Sequence, residues 1–115
     1  MAGVEPRLER VSAERFRVIG PLTFATVTRL LGPSLGLLGE ADALDIDLGA
    51  VPRSDSAGLA LLIEWMRHAR RRDQPIRFLN MPPQMLAIAR ASSLDQVLPL
   101  VREPLLRAVE SPSLN

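Results

Sequence analysis

Ala43-Leu44-Asp45-Ile46-Asp47-Leu48-Gly49 and, one short loop later, Asp55-Ser56-Ala57-Gly58-Leu59-Ala60-Leu61-Leu62 are the stretches that decide the fold. In the first, Leu44, Ile46 and Leu48 alternate with Asp45 and Asp47, the period-two pattern of a strand with one buried face. Gly49 ends it. Residues 50–54 form a loop, after which the apolar spacing changes to the helical period and predicts the strongest helix of the chain, Asp55 to Arg72.

Working outward, Phe16 and Val18 alternate with Arg15 and Arg17, and Ile19 closes a strand that Gly20-Pro21 stops. Arg7-Leu8-Glu9-Arg10-Val11 predicts a short edge strand before it. Thr23 is the expected N-cap of a helix carrying Phe24, Val27, Leu30 and Leu31 on one stripe. Gly32-Pro33 should interrupt that helix, leaving one kinked element or two short ones that fade at Gly39. Downstream, Ile76-Arg77-Phe78-Leu79 predicts a strand and Asn80-Met81-Pro82-Pro83 a connector. Gln84 to Ala91 reads as a third helix entered through proline. Leu94 to Leu106 reads as one or two short turns broken by Pro99 and Pro104. Strands separated by helices require crossovers, so the order ββαβαβα predicts an α/β fold with a mixed, mostly parallel sheet of about four strands. With 115 residues, 47% of them hydrophobic, the chain has material for one core, so residues 1–110 are expected to form a single domain and 111–115 a disordered tail.

Composition removes several chemistries. All fourteen basic residues are arginine, so there is no phosphate-loop lysine, no Schiff base and no lysine general base. One histidine and no cysteine do not make an ordinary zinc site. Asp45 and Asp47 share a strand face, but no EF-hand spacing follows them, so no metal is expected. His68 falls about 18 Å along the helix from Ser56, too far to share a proton with it. The run Arg67-His68-Ala69-Arg70-Arg71-Arg72 is explained by the negative end of the helix dipole. A net charge of +1 with 3% aromatics argues against nucleic acid. Glu5, Arg7, Glu9 and Arg10 interrupt any leader-like apolar stretch, and no window reaches the roughly 18 apolar residues of a membrane span. A cytoplasmic protein with no catalytic residues and no cofactor is the expectation.

The central helix carries two signals. Leu59, Leu62, Ile63, Met66 and Ala69 make one stripe, which should face the sheet. Leu61, Trp65 and His68 fall on nearly the opposite side. They either pack against a neighbouring helix of the same domain or form a surface for another protein, where tryptophan is a frequent hot spot. At the helix start, Ser54 or Asp55 can cap, and Ser56 sits where amides are free and the dipole is positive. A phosphate on Ser56 would add about −1.5 to −2 charges there. Ser56 is either a capping hydroxyl or a regulatory position. Gly58, lacking a side chain, would let a partner backbone approach closely.

Asp55-Ser56-Ala57-Gly58-Leu59-Ala60-Leu61-Leu62, entered from Asp45-Ile46-Asp47-Leu48, resembles the signature of STAS domains. The resemblance runs from Phe16 to Leu100. It takes in Gly20-Pro21-Leu22-Thr23-Phe24, Trp65 and Asn80-Met81-Pro82-Pro83-Gln84-Met85-Leu86-Ala87, and is closest to the MlaB-type branch. It implies helices largely on one side of the sheet. It also implies a non-enzymatic accessory subunit that binds the ATPase of an Mla-type phospholipid-transport ABC complex, peripheral at the inner membrane. The alternative is an anti-sigma factor antagonist, switched when a partner kinase phosphorylates Ser56. A nucleotide-binding domain is a third reading, for which no base or metal is at hand. By resemblance, Ser54, Asp55, Ser56, Ala57 and Gly58, with Leu61, Trp65 and His68, are the partner-binding or regulatory residues. The family usually has an apolar residue before the aspartate; here Ser54 stands there.

Overall fold

A computed structural model describes residues 5–101; the expected tail, and the expected turns beyond Val101, lie outside the described residues. Among these described residues, five strands form one sheet in the order β1-β2-β3-β4-β5. They are β1 (Arg7–Arg10), β2 (Arg15–Ile19), β3 (Leu44–Ala50), β4 (Ile76–Leu79) and β5 (Leu100–Val101). β1 and β2 are an antiparallel pair; every other neighbouring pair is parallel. The α-helices described are α1 (Val27–Leu38), α2 (Ser56–Arg71) and α3 (Pro83–Ala91), which cross over between the parallel strands and pack on one face of the sheet.

Strand alternation sorts the two faces. Phe16 and Val18 of β2, Leu44, Ile46 and Leu48 of β3 and Phe78 of β4 point toward the helices and are almost completely buried. Leu59, Leu62, Met66 and Ala69 of α2 meet them, flanked by Leu30 and Leu38 of α1 and by Met85 and Ala89 of α3. The opposite face is a charged lattice. Arg15 bonds Asp47 at 3.1 Å, and Arg77 grips both oxygens of Asp45 at 2.9 Å. The two aspartates that share this face are thus neutralised by arginines on the flanking strands. Among the described residues no group of three or more His, Cys, Asp or Glu gathers into a cation site, and no helix is long and apolar enough to cross a membrane.

Three expectations need correction. The sheet has a fifth strand, β5, a two-residue parallel addition to β4 just after Pro99. α1 begins at Val27 rather than at Thr23, and it runs unbroken through Pro33. Gly32 and Pro33 face solvent, so water can take the carbonyl that the proline leaves unpaired. The late start has a local cause: the Thr26 hydroxyl accepts from the Thr23 amide at 2.9 Å and donates to the Pro21 carbonyl at 2.8 Å. This side-chain turn fixes residues 21–26 as a loop in competition with the helix. Gly20 makes the loop's sharp entry. Its φ is +108°, and a Cβ there would lie 2.9 Å from Pro6 Cα.

A candidate docking site at the start of the second helix

The loops that follow β2 and β3 lie side by side at the carboxyl ends of the parallel strands. Leu22 and Ser54 form a one-residue parallel bridge. The Leu22 amide donates to Arg53 O at 3.0 Å, and the Asp55 amide donates to Leu22 O at 3.2 Å. From the other side, Gln84 at the start of α3 clasps Ser54. Its Oε1 accepts from the Ser54 amide at 3.0 Å, and its Nε2 donates to Ser54 O at 2.7 Å. The segment leading into α2 is therefore held through its backbone on both flanks, by the Leu22 backbone on one side and the Gln84 side chain on the other.

Asp55 caps α2. One carboxylate oxygen accepts from the Ala57 amide at 2.8 Å, and the other accepts from the Phe24 amide at 3.0 Å. A carboxylate at this end is also favoured by the helix dipole. Ser54 is not the cap. It is 3% exposed and its hydroxyl donates to Asp55 O at 3.0 Å, which explains how a polar residue fits a position expected to be apolar. Ser56, two residues on, is the first helical residue and is exposed. Among the described residues its hydroxyl makes no hydrogen bond. Ala57 beside it is half-buried.

Gly58 is a correction. It is buried, and what approaches it closely is the chain's own Leu22: a Cβ at Gly58 would lie 2.7 Å from Leu22 O and would overlap Ser54 Oγ. The missing side chain serves the seam between the two loops, not a partner backbone.

Leu61 and Trp65 follow the reading that packs them within the domain, and their place among the partner-binding residues is corrected. They are 3% and 1% exposed, so neither belongs to a free surface. α1 covers this side of α2, and the Trp65 indole N–H donates to Ser34 Oγ at 2.9 Å. Ser34 in turn donates to Leu31 O at 2.8 Å, so the buried polar pair is satisfied. His68 is half-buried in a small recess beside Trp65, Leu35 and Arg72. The eight residues thus divide: Ser54 and Gly58 are locked in the seam between the loops, Asp55, Ser56 and Ala57 form the tip above it, and Leu61, Trp65 and His68 belong to the contact between α1 and α2.

The structure adds residues that the sequence reading placed elsewhere. Phe24, expected on the buried stripe of α1, stands on the tip with 82% of its surface exposed. Gln84 clamps the tip from α3. A groove of about 1030 Å³ runs between the same two loops, walled by Ile19, Thr23, Ala25, Val51, Pro52 and Arg53. The signal for Phe24 was Thr23-x-x-Thr26, a spacing that favours a side-chain turn as much as a helix start.

A family model described as "Mlab, STAS domain" matches residues 8–102. The chain belongs to the STAS domain family. Comparison with curated proteins finds no match. Among solved structures, the unphosphorylated form of the anti-sigma factor antagonist SpoIIAA is similar at 18% identity, covering 92% of this chain and 96% of that one with a TM-score of 0.66. An anti-sigma-factor antagonist (STAS) domain protein from Planctomyces limnophilus is similar at 19% identity, covering 91% and 97% with a TM-score of 0.67. These likenesses are of fold.

Proposed function

We propose that this chain is a regulatory, non-enzymatic protein-binding module that docks through the tip at Ser56, and that a phosphoryl group on Ser56 switches docking off. The observation that carries this reading is the state of Ser56: exposed, with a hydroxyl free of hydrogen bonds among the described residues, and at the amide-rich end of a helix whose approach is clamped on both flanks. A rigid platform with one unengaged hydroxyl suits recognition by another protein, because little ordering is left to do on binding. Both solved structures named above are described as anti-sigma factor antagonists and match over nine-tenths of this chain, which supports that regulatory class. The modifying step would be attack of Ser56 Oγ on the γ-phosphorus of ATP. The bond to the departing ADP breaks, and the hydroxyl proton passes to a base on the kinase.

A second reading has its own support. The matching family model carries the MlaB description over residues 8–102, which favours an Mla-type ABC ATPase as the partner that this tip binds and stabilises. One experiment separates the two. The full chain is purified from its native organism under mild conditions, and its companions are identified. Recovery of a kinase that labels the wild-type chain with ATP, but not Ser56→Ala, establishes the antagonist. Recovery of an ABC ATPase, with no labelling, establishes the transport subunit. If neither nucleotide-binding protein is recovered, both readings fall.

A further inference from the structure

Phe24 is the most exposed large hydrophobic residue described, at 82%, yet it is not on a loose segment. Its amide is held by Asp55 at 3.0 Å, and its loop is fixed by the Thr23–Thr26 turn. The same Asp55 carboxylate caps the turn that carries Ser56. One side chain thus fixes the backbone that carries the apolar ring and caps the turn that carries the free hydroxyl. Arg53 lies on the same side, walling the groove together with Thr23 and Ala25, the two neighbours of Phe24. Arg53 is exposed and makes no ion pair among the described residues, whereas Arg29 across the groove is paired with Glu5. The Asp55 carboxylate sits at the positive end of α2, and the two largely offset one another, so Arg53 is the exposed charge at the tip without a described counter-ion.

We infer that Phe24 is a second contact of the docking tip, an anchor for a partner protein that offers an apolar pocket rimmed by carboxylates. This rests on the reading that Ser56 docks, and it adds the chemistry of what docks there. An aromatic side chain has few rotatable bonds, so on a fixed backbone it loses little freedom on binding and buries a large apolar area, the profile of a hot spot. The rim is acidic because Arg53 is the exposed charge it must match. A membrane surface fits less well. Interfacial insertion needs a broad apolar face, and here a single ring stands between Thr23 and Ala25. The arrangement also makes one charge act twice. A phosphoryl group on Ser56 offsets Arg53 and repels the carboxylate rim. It also competes with Asp55 for the Ala57 amide and repels Asp55, loosening the amide bond that sets Phe24.

The test uses the full chain and, as probe, the purified nucleotide-binding protein recovered with it. Phe24→Ser is expected to keep the wild-type melting temperature and to bind about 30-fold more weakly. Arg53→Glu is expected to bind more weakly, with a reduced salt dependence. Wild-type affinity in Phe24→Ser overturns the inference while leaving the Ser56 reading intact; loss of binding in Ser56→Asp alone supports that reading and not this one. A probe that fails to bind even the wild-type chain sinks both. Retention of the wild-type chain, but not of Phe24→Ser, on anionic phospholipid vesicles assigns the ring to a membrane and also overturns the inference. Hydrogen exchange needs no partner. The Phe24 amide should exchange about tenfold faster in Asp55→Asn and in the chain carrying phosphoserine at position 56. An unchanged rate in both refutes the role given to Asp55.

Discussion

Ser54 and Ser56 belong to two regions that meet at Asp55 and differ in almost every physical respect. On the seam side, Ser54, Leu22, Gly58 and Gln84 are locked together: Ser54 is 3% exposed, with backbone and hydroxyl all bonded, and Gly58 admits no added atom. On the tip side, Phe24 and Ser56 stand in solvent. The seam resembles a core and should be judged by stability. The tip contributes little to folding and should be judged by binding. Burial and bonding, not position along the chain, separate structural from functional residues here.

The contrast is broken if seam residues prove dispensable for folding. The largest effect is expected at Trp65, which lies outside the seam but is locked as tightly, against α1, at 1% exposure. Trp65→Ala should lose about 3–5 kcal/mol in urea denaturation, from the lost burial and the cavity left behind. Trp65→Phe keeps most of the volume but leaves Ser34 without its indole donor, and should lose about 1–3 kcal/mol. A loss below that in both would mean that α1 does not cover this side of α2.

Gly58→Ala sharpens the comparison, because two principles give opposite signs. In an ordinary helix the change stabilises by about 0.8–1.0 kcal/mol. Here the new methyl meets Leu22 O at 2.7 Å, a backbone atom that cannot swing away. Overpacking of this kind costs about 1–3 kcal/mol, so a lower thermal midpoint is expected. A raised midpoint would mean that the seam is looser than described. Gln84→Ala comes next. It removes two hydrogen bonds to Ser54 but leaves groups that water can reach, so a loss of about 1 kcal/mol is expected in the same assay.

The sheet and the three helices were legible because alternation and the helical period report directly on burial. β3 and α2 are found within one or two residues of their expected bounds. What covers the second face of α2 was not legible. A helical projection shows that Leu61 and Trp65 need cover but not who supplies it. Leu30, Ser34 and Leu38, spaced by four on α1, were the unread half of the answer, with one buried hydroxyl awaiting a donor. Phe24 was misplaced because its spacing from Val27, Leu30 and Leu31 suits a helix, whereas the Thr23–Thr26 turn overrides that spacing locally. β5 has two residues, too few for a pattern. At the tip, the type and order of residues pointed to Ser56. That Gly58 faces inward and Ser56 outward follows from the seam with Leu22, a contact between loops more than thirty residues apart that no local pattern encodes.

The smallest effect on stability is expected where the functional effect is expected to be greatest. Ser56→Ala removes a hydroxyl that no described residue bonds, so its melting temperature should match the wild type, within about 0.5 kcal/mol. Ser56→Asp places a negative charge in the first turn of α2, which by itself favours the helix by about 0.3–1 kcal/mol. Proximity to Asp55 works against that gain, so the net change in stability should again be small. Binding to the recovered partner should nevertheless be retained in Ser56→Ala and lost in Ser56→Asp. If Ser56→Asp instead unfolds the chain, the charge is acting through the seam, and the division between a locked region and a free one does not hold at Asp55.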